Sequence, residues 1–362
     1  MHARITPTPS SARWLASGRW PLAAAATALL LLVGLTLAGC DGGAQPGSNT
    51  QANPGPEGYP YPITTTVSMV TDITRNIAGD KAKVAGLMGA GVDPHTYTPK
   101  TSDVEKLMEA EVVFYNGLML EGKMQNVLVK VARSGKPVHG VTEMLSDDYV
   151  MTESEGLYDP HVWMDVQGWI RATKQVSGVL QEYDKANADY YKQRTEDYLK
   201  KLERLDQYVH AVIGSIPEKQ RVLVTAHDAF NYFGRAYNIE VKGIQGLSTQ
   251  SEAGVRRINQ LRDMLIERDI HAVFVETSVA EKNVKALIEG ARSRGHEVKI
   301  GGSLYSDAAG AAGTYEGTYI GMIDHNATTI AKALGGDVPD NGFQGWLKQN
   351  GYRVSLTETT AQ

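Results

Sequence analysis

The tripeptide Asp-Pro-His occurs twice in this chain, as DPHTYTP around His95 and as DPHVWMD around His161. Two further segments place a ligand-type side chain in a turn-like setting, TAHDAF around His227 and SLYSDAAG around Asp307. Imidazole nitrogens and carboxylate oxygens are ligands that transition metals accept in proteins. Three imidazoles and one carboxylate are a complete set for one ion. The residue types therefore predict a metal site, provided that the fold brings the four side chains together.

Each of these residues also has an ordinary structural explanation. A single histidine is more often packed or solvated than metal-bound, and Asp-Pro is a common turn dipeptide. The repeated context favours ligation for His95 and His161, because the proline before each imidazole fixes φ. The aspartates Asp93 and Asp159 could cap these turns or orient the rings. Of the other histidines, His2 belongs to the amino-terminal signal. The rest are expected to pack, to cap, to face solvent or to support a ligand; they are His139, His210, His271, His296 and His325.

Short β-branched runs alternate with helical patterns from residue 62 onward, which is typical of parallel βα units. The predicted strands are residues 63–70, 83–88, 111–115, 221–225, 271–275 and 297–300. The first predicted helix ends near residue 78, and the others cover 102–110, 187–213, 252–268, 280–292 and 315–334. The helix at 102–110 begins with a capping-box pattern, Ser102-Asp-Val-Glu105. His95, His227 and Asp307 all follow predicted strands, where open parallel sheets bind their ligands.

The predicted helix at 187–213 carries one apolar stripe and a charged opposite face. At about 1.5 Å per residue it is roughly 40 Å long. It is either a surface helix of one large domain or a strut between two domains, and the similar patterns on its two sides favour the strut. We expect an α/β fold of two βα lobes with parallel sheets, joined by a long rigid helix. The expected boundaries are 62–184 and 217–338 for the lobes, 185–216 for the helix and 339–362 for a C-terminal segment.

In this architecture the metal site would lie in the cleft between the lobes. His95 and His161 would come from the first lobe, and His227 and Asp307 from the second.

The amino terminus has the pattern of an export signal. Arginines precede an apolar stretch, 21–37, and no acid occurs before Asp41. An uncleaved transmembrane anchor is the alternative, but Leu-Ala-Gly-Cys at 37–40 resembles the lipobox of bacterial lipoproteins. We therefore expect a lipoprotein signal peptide at 1–39, lipid on Cys40, and a flexible Gly/Pro-rich tether at 40–61. Asp41 after the cysteine favours retention at the inner membrane of a Gram-negative cell.

Composition excludes several classes of protein. Cys40 is the only cysteine, so the folded part can form neither an internal disulfide nor a thiolate metal site. The formal net charge of −5 becomes more negative when the signal is removed, which disfavours nucleic-acid binding. The chain has no P-loop and no GxGxxG fingerprint.

Six segments taken in order resemble the metal-binding solute receptors of bacterial zinc and manganese ABC transporters: DPHTYTP, DPHVWMD, TAHDAFNYF, GIQGLST, FVETSV and SLYSDAAG. The resemblance covers roughly residues 62–335 and implies that the metal ligands are His95, His161, His227 and Asp307. It also implies two βα lobes joined by a long helix. Many manganese receptors have Glu at the third ligand position, whereas His is found in zinc receptors and some dual receptors. The segment 141–158 lacks the histidine-rich loop of many dedicated zinc receptors.

The sequence thus predicts an extracytoplasmic lipoprotein, not an enzyme, that captures Zn²⁺ or Mn²⁺, with Fe²⁺ as a third candidate. It would deliver the ion to an ABC permease and its ATPase, which are separate chains. The protein would be a monomer anchored at the periplasmic face of the inner membrane in a Gram-negative cell. The alternatives are a metal-dependent hydrolase, with Glu276 as general base, and a surface adhesin. Four protein ligands argue against the hydrolase, because catalytic zinc keeps an open position, and Glu276 is then expected to orient a histidine or a loop.

Overall fold

The computed structural model describes residues 55–152 and 156–352. The predicted signal peptide, Cys40 and most of the predicted tether lie outside these residues. In the first half, four strands form a parallel sheet in the order β2-β1-β3-β4. They are β1 (Tyr61–Thr65), β2 (Ala82–Gly86), β3 (Val112–Tyr115) and β4 (Val138–Gly140). The accompanying helices are α1 (Ser68–Ala78), α2 (Thr101–Glu109) and α3 (Gln125–Arg133).

Two helices fill the middle of the chain, α4 (Val166–Tyr183) and α5 (Ala188–Gly214). The prediction of one long helix is confirmed, since α5 has 27 residues and is therefore about 40 Å long. Its predicted apolar stripe is buried, including Tyr191, Leu202 and Leu205.

The second half repeats the strand order of the first. Strand β5 (Val222–His227) pairs with β6 (Glu240–Gln245), and β7 (Ala272–Glu276) pairs with β8 (Lys299–Leu304), both in parallel. Because β5 also lies beside β7, the spatial order is β6-β5-β7-β8. The helices of this half are α6 (Asn231–Tyr237), α7 (Val255–Glu267), α8 (Lys282–Arg292), α9 (Tyr319–Ala333) and α10 (Gly342–Gln349). The two βα lobes with parallel sheets are thus confirmed.

Helix α5 packs against elements of both halves: α1 and α4 from the first, and α9 and α10 from the second. Its buried apolar residues belong to one large hydrophobic core that extends from β1 to α10. A smaller core lies between the second sheet and helices α7 and α8. In the part of the chain that the structure describes, no helix combines the length and the apolar character needed to cross a bilayer.

Some predicted boundaries were wrong for local reasons. Strand β1 ends at Thr65, because Val67 already caps α1. Helix α2 begins at Thr101, before the predicted Ser102 cap, and Asp103 accepts the Lys100 main-chain N–H at 2.8 Å. The prediction also missed several elements: α3, α4, α6, α10, β4 and β6.

Candidate metal centre

The four predicted ligands meet at one point. One ligand atom from each of His95, His161, His227 and Asp307 lies within 4.8 Å of all the others. The His95 Nε2 and His161 Nε2 atoms are 3.3 Å apart. The Asp307 carboxylate lies between the rings of His161 and His227. Its Oδ1 is 3.4 Å from His161 Nε2, and its Oδ2 is 3.4 Å from His227 Nε2. The exposed fractions are 4%, 0%, 0% and 1%, so the cluster is closed to solvent.

Both halves of the fold contribute to this cluster. His95 lies in the loop after β2, and His161 directly precedes a 3₁₀ turn, Val162–Met164, that leads into α4. His227 is the last residue of β5, which extends two residues beyond the predicted end at 225, and Asp307 follows β8. The cluster therefore lies at the carboxyl ends of the strands, between the lobes.

Asp159 fixes the ring of His161. Its Oδ1 accepts from His161 Nδ1 at 2.7 Å and from the His161 main-chain N–H at 3.0 Å. With Nδ1 protonated toward Asp159, Nε2 is the ring atom that faces the cluster. Trp163 packs edge-on against the same ring at a centroid distance of 5.2 Å, so the imidazole is held on two sides.

Glu276 does the same for His227 from the end of β7. Its Oε2 accepts from His227 Nδ1 at 2.5 Å, and its Oε1 accepts from the His227 main-chain N–H at 2.9 Å. This arrangement assigns Glu276 the orienting role rather than that of a general base. The motif FVETSV marked the residue, but not which histidine it would contact.

The loop that carries His95 is tied to the second half of the chain. Asp93 Oδ1 accepts the His95 main-chain N–H at 2.9 Å, while Asp93 Oδ2 accepts the Thr249 hydroxyl at 2.6 Å. Gln250 Nε2 donates to the His95 carbonyl oxygen at 2.8 Å. We call these two cross-lobe hydrogen bonds, Thr249 to Asp93 and Gln250 to His95, the latch. Sequence reasoning noticed the segment GIQGLST but did not predict this role.

Burial and charge act against each other in the cluster. Burial lowers the pKa of His95 to about 4. At His161 burial also disfavours the cation, but the carboxylates of Asp159 and Asp307 outweigh it and raise the pKa to about 8. Burial likewise opposes the His227 cation, yet Glu276 and Asp307 raise its pKa well above the usual value. Asp307 has its pKa held well below the usual range by the histidines, despite burial.

The donor set fits a single divalent ion. His227 Nε2 and Asp307 Oδ1 are buried and have no hydrogen-bond partner among the described residues. Such atoms are rare in folded proteins, and a cation that accepts both lone pairs satisfies them. Three nitrogens and a carboxylate suit a borderline transition metal. Four protein ligands leave little room for a reactive water, so this centre is suited to holding an ion rather than to catalysis.

The chain is similar to proteins that carry metals. Its residues 63–333 match the family ZnuA, zinc-uptake complex component A periplasmic. The manganese-binding lipoprotein MntA of Bacillus subtilis (strain 168) is 48% identical over 273 residues, which are 75% of this chain and 89% of that protein. The zinc-binding protein TroA of Treponema pallidum (strain Nichols) is 45% identical over 272 residues, 75% of this chain and 88% of that protein.

The solved structure of the periplasmic zinc-binding protein TroA from Treponema pallidum has a TM-score of 0.74 to this fold at 45% identity, covering 76% of this chain and 99% of that one. Other relatives are described as substrate-binding lipoproteins of metal ABC transporters. The comparisons support neither the hydrolase nor the adhesin alternative. The chain belongs to the ZnuA family and is an extracytoplasmic substrate-binding receptor of a metal ABC transporter, not an enzyme.

Proposed function

We propose that this receptor captures one Zn²⁺ or Mn²⁺ ion with His95, His161, His227 and Asp307 and delivers it to a permease driven by a separate ATPase. The observation that carries the proposal is the buried cluster of three imidazoles and one carboxylate, with ligand atoms within 4.8 Å of one another. The names of the relatives, one manganese-binding and one zinc-binding, support the same two ions.

The donor atoms favour tighter binding of zinc in vitro, because a nitrogen-rich site has a higher affinity for Zn²⁺ than for Mn²⁺ or Fe²⁺. Which ion the cell loads depends also on availability. Metal analysis of the protein purified from its own host, covering zinc, manganese and iron, identifies that ion.

Calorimetric titration of ligand variants tests the site. We expect His95→Ala and Asp307→Ala to weaken zinc and manganese binding at least about a hundredfold, more than the loss of an outer-sphere partner costs. His139→Ala and His210→Ala are the controls, since neither histidine belongs to the cluster. Affinity close to that of the unaltered chain in both His95→Ala and Asp307→Ala would disprove the ligand assignment.

We also propose that the mature chain is a monomer that begins at Cys40 and carries lipid there, holding the receptor at the periplasmic face of the inner membrane. The proposal includes a division of the chain into six parts. They are a signal at 1–39, a tether at 40–61, lobes at 62–184 and 217–338, a helix at 185–216 and a C-terminal segment at 339–362. Cys40→Ser should abolish labelling by radioactive fatty acid and leave the precursor uncleaved. A mature chain with an unlipidated amino terminus at another residue would contradict it.

A further inference from the structure

A second group of metal-ligand side chains lies at the opposite end of strand β7. Asp269, His271 and His296 each place one ligand atom within 4.8 Å of the other two. His271 directly precedes β7, whereas Glu276 at its far end contacts His227 of the buried cluster. Five strand residues at about 3.3 Å each put the two clusters roughly 16 Å apart. The second cluster is therefore a separate site.

Main-chain carbonyl groups fix both rings of this cluster. His271 Nδ1 donates to the Glu297 carbonyl oxygen at 2.7 Å, and His296 Nε2 donates to the Ile270 carbonyl oxygen at 2.8 Å. A carbonyl oxygen only accepts, so each of these nitrogens carries the proton. In the neutral rings, His271 Nε2 and His296 Nδ1 are then left with lone pairs. One nitrogen fixed by a carbonyl and the other free is the usual arrangement of a metal-binding histidine.

The carboxylate of Asp269 lies beside the free ring nitrogen of His271. His271 Nε2 is 3.0 Å from Asp269 Oδ1, so both atoms can contact one ion. The ring of His296 lies alongside at a centroid distance of 4.7 Å and an angle of 31°. One of its ligand atoms is within 4.8 Å of those of Asp269 and His271, so a second imidazole is available to the same ion.

We propose that Asp269, His271 and His296 form a second, solvent-exposed site for a borderline divalent metal ion such as Zn²⁺. The His271 and Asp269 side chains are 55% and 79% exposed, so water completes the coordination and the ion exchanges readily with solvent. Two nitrogens and one oxygen favour zinc over manganese, which prefers oxygen ligands. The exposed site therefore takes zinc but not manganese at concentrations that fill the buried site.

Counting bound ions tests this inference. The full, metal-free chain in detergent is dialysed to equilibrium against zinc or against manganese, and bound metal is measured by elemental analysis. We expect two zinc equivalents, one tight and one weaker, but a single manganese equivalent. His271→Ala and His296→Ala should each weaken the second zinc equivalent at least tenfold and leave the first unchanged. In imidazole ¹⁵N spectra, the second equivalent should shift the His271 Nε2 resonance.

His325→Ala is the matched control, because His325 also donates to a main-chain carbonyl, that of Ser303 at 2.9 Å, but belongs to neither cluster. It should keep both zinc equivalents. Asp307→Ala separates the two sites, since it should lose the tight equivalent and keep the weaker one. A weaker zinc equivalent that survives His271→Ala, or an Asp307→Ala chain that binds no zinc, overturns the inference whatever the buried site binds.

Discussion

Glu276 holds His227 with both carboxylate oxygens, one on the ring nitrogen Nδ1 and one on the main-chain N–H. The two residues end β5 and β7, and the side-by-side packing of these strands sets their spacing. This contact fixes the tautomer of His227 and turns Nε2 toward Asp307. The orientation of this ligand thus depends on a residue that contributes no atom to the cluster.

Removing the charge of Glu276 should weaken metal binding without removing a ligand. We expect Glu276→Gln to lower zinc affinity by about ten- to a hundredfold, the usual effect of losing an outer-sphere partner. Competition titration against a zinc chelator measures it. Glu281→Gln, in the same half but exposed and paired with Lys285, is the control. Affinity in Glu276→Gln within twofold of the unaltered chain would contradict the orienting role.

The latch should control how fast the ion leaves. Thr249→Val removes the hydroxyl that donates to Asp93, and a hydrogen bond to a charged group contributes about 1.5–3 kcal/mol. We expect the zinc dissociation rate, measured by stopped-flow transfer to a chelator, to rise about tenfold, because a loss of about 1.4 kcal/mol of binding free energy corresponds to a factor of ten. Ser251→Ala, which changes an exposed side chain of the same loop, should leave the rate unchanged. Equal rates for Thr249→Val and Ser251→Ala would exclude a latch.

Metal binding should release protons at neutral pH. The pKa of His161, raised to about 8, keeps the metal-free ring largely protonated at pH 7, and His227 is shifted in the same direction. A ligating ring must be neutral, so the ion displaces these protons and affinity rises as the pH increases from 6 to 8. His95 contributes none, because its lowered pKa of about 4 leaves it neutral.

Calorimetry in buffers of different ionisation enthalpy counts these protons, and we expect at least about one per zinc ion at pH 7. Raising the pH to 9 should reduce the number contributed by His161. Binding enthalpies that are independent of the buffer at pH 7 would show that the metal-free rings are already neutral.

Replacing His227 by glutamate should shift the preference toward manganese, because an oxygen ligand replaces a nitrogen. The new carboxylate would face Glu276, and the repulsion of two buried carboxylates should weaken the binding of both ions. The double variant His227→Glu/Glu276→Gln relieves that repulsion. We expect the ratio of zinc to manganese affinity to fall in both variants, and absolute affinity to recover only in the double variant. An unchanged ratio in both would contradict the prediction.

Sequence reasoning identified the four clustered residues because each has a strong local context: two Asp-Pro-His turns, and two positions after strands. It did not predict the contact of Thr249 with Asp93, which are 156 residues apart, since no local pattern encodes such a pairing. His271 and His296 were expected to act separately for the same reason, as only the β7–β8 pairing brings them together. Helix α4 was missed because its buried face includes Gly168, Thr173 and Ser177, which weaken the apolar pattern that marks an amphipathic helix in a sequence.

Helix α5 resists a rotation of one lobe against the other, but it does not restrain the His95 loop. A swing of one lobe against the other would expose side chains such as Leu202 and Leu205, which are fully buried, at about 1.5–3 kcal/mol each. Lifting the His95 loop breaks the two hydrogen bonds of the latch and the contact of His95 with His161. The metal ion should therefore enter and leave through displacement of the His95 loop, while α5 and the two lobes keep their relative positions.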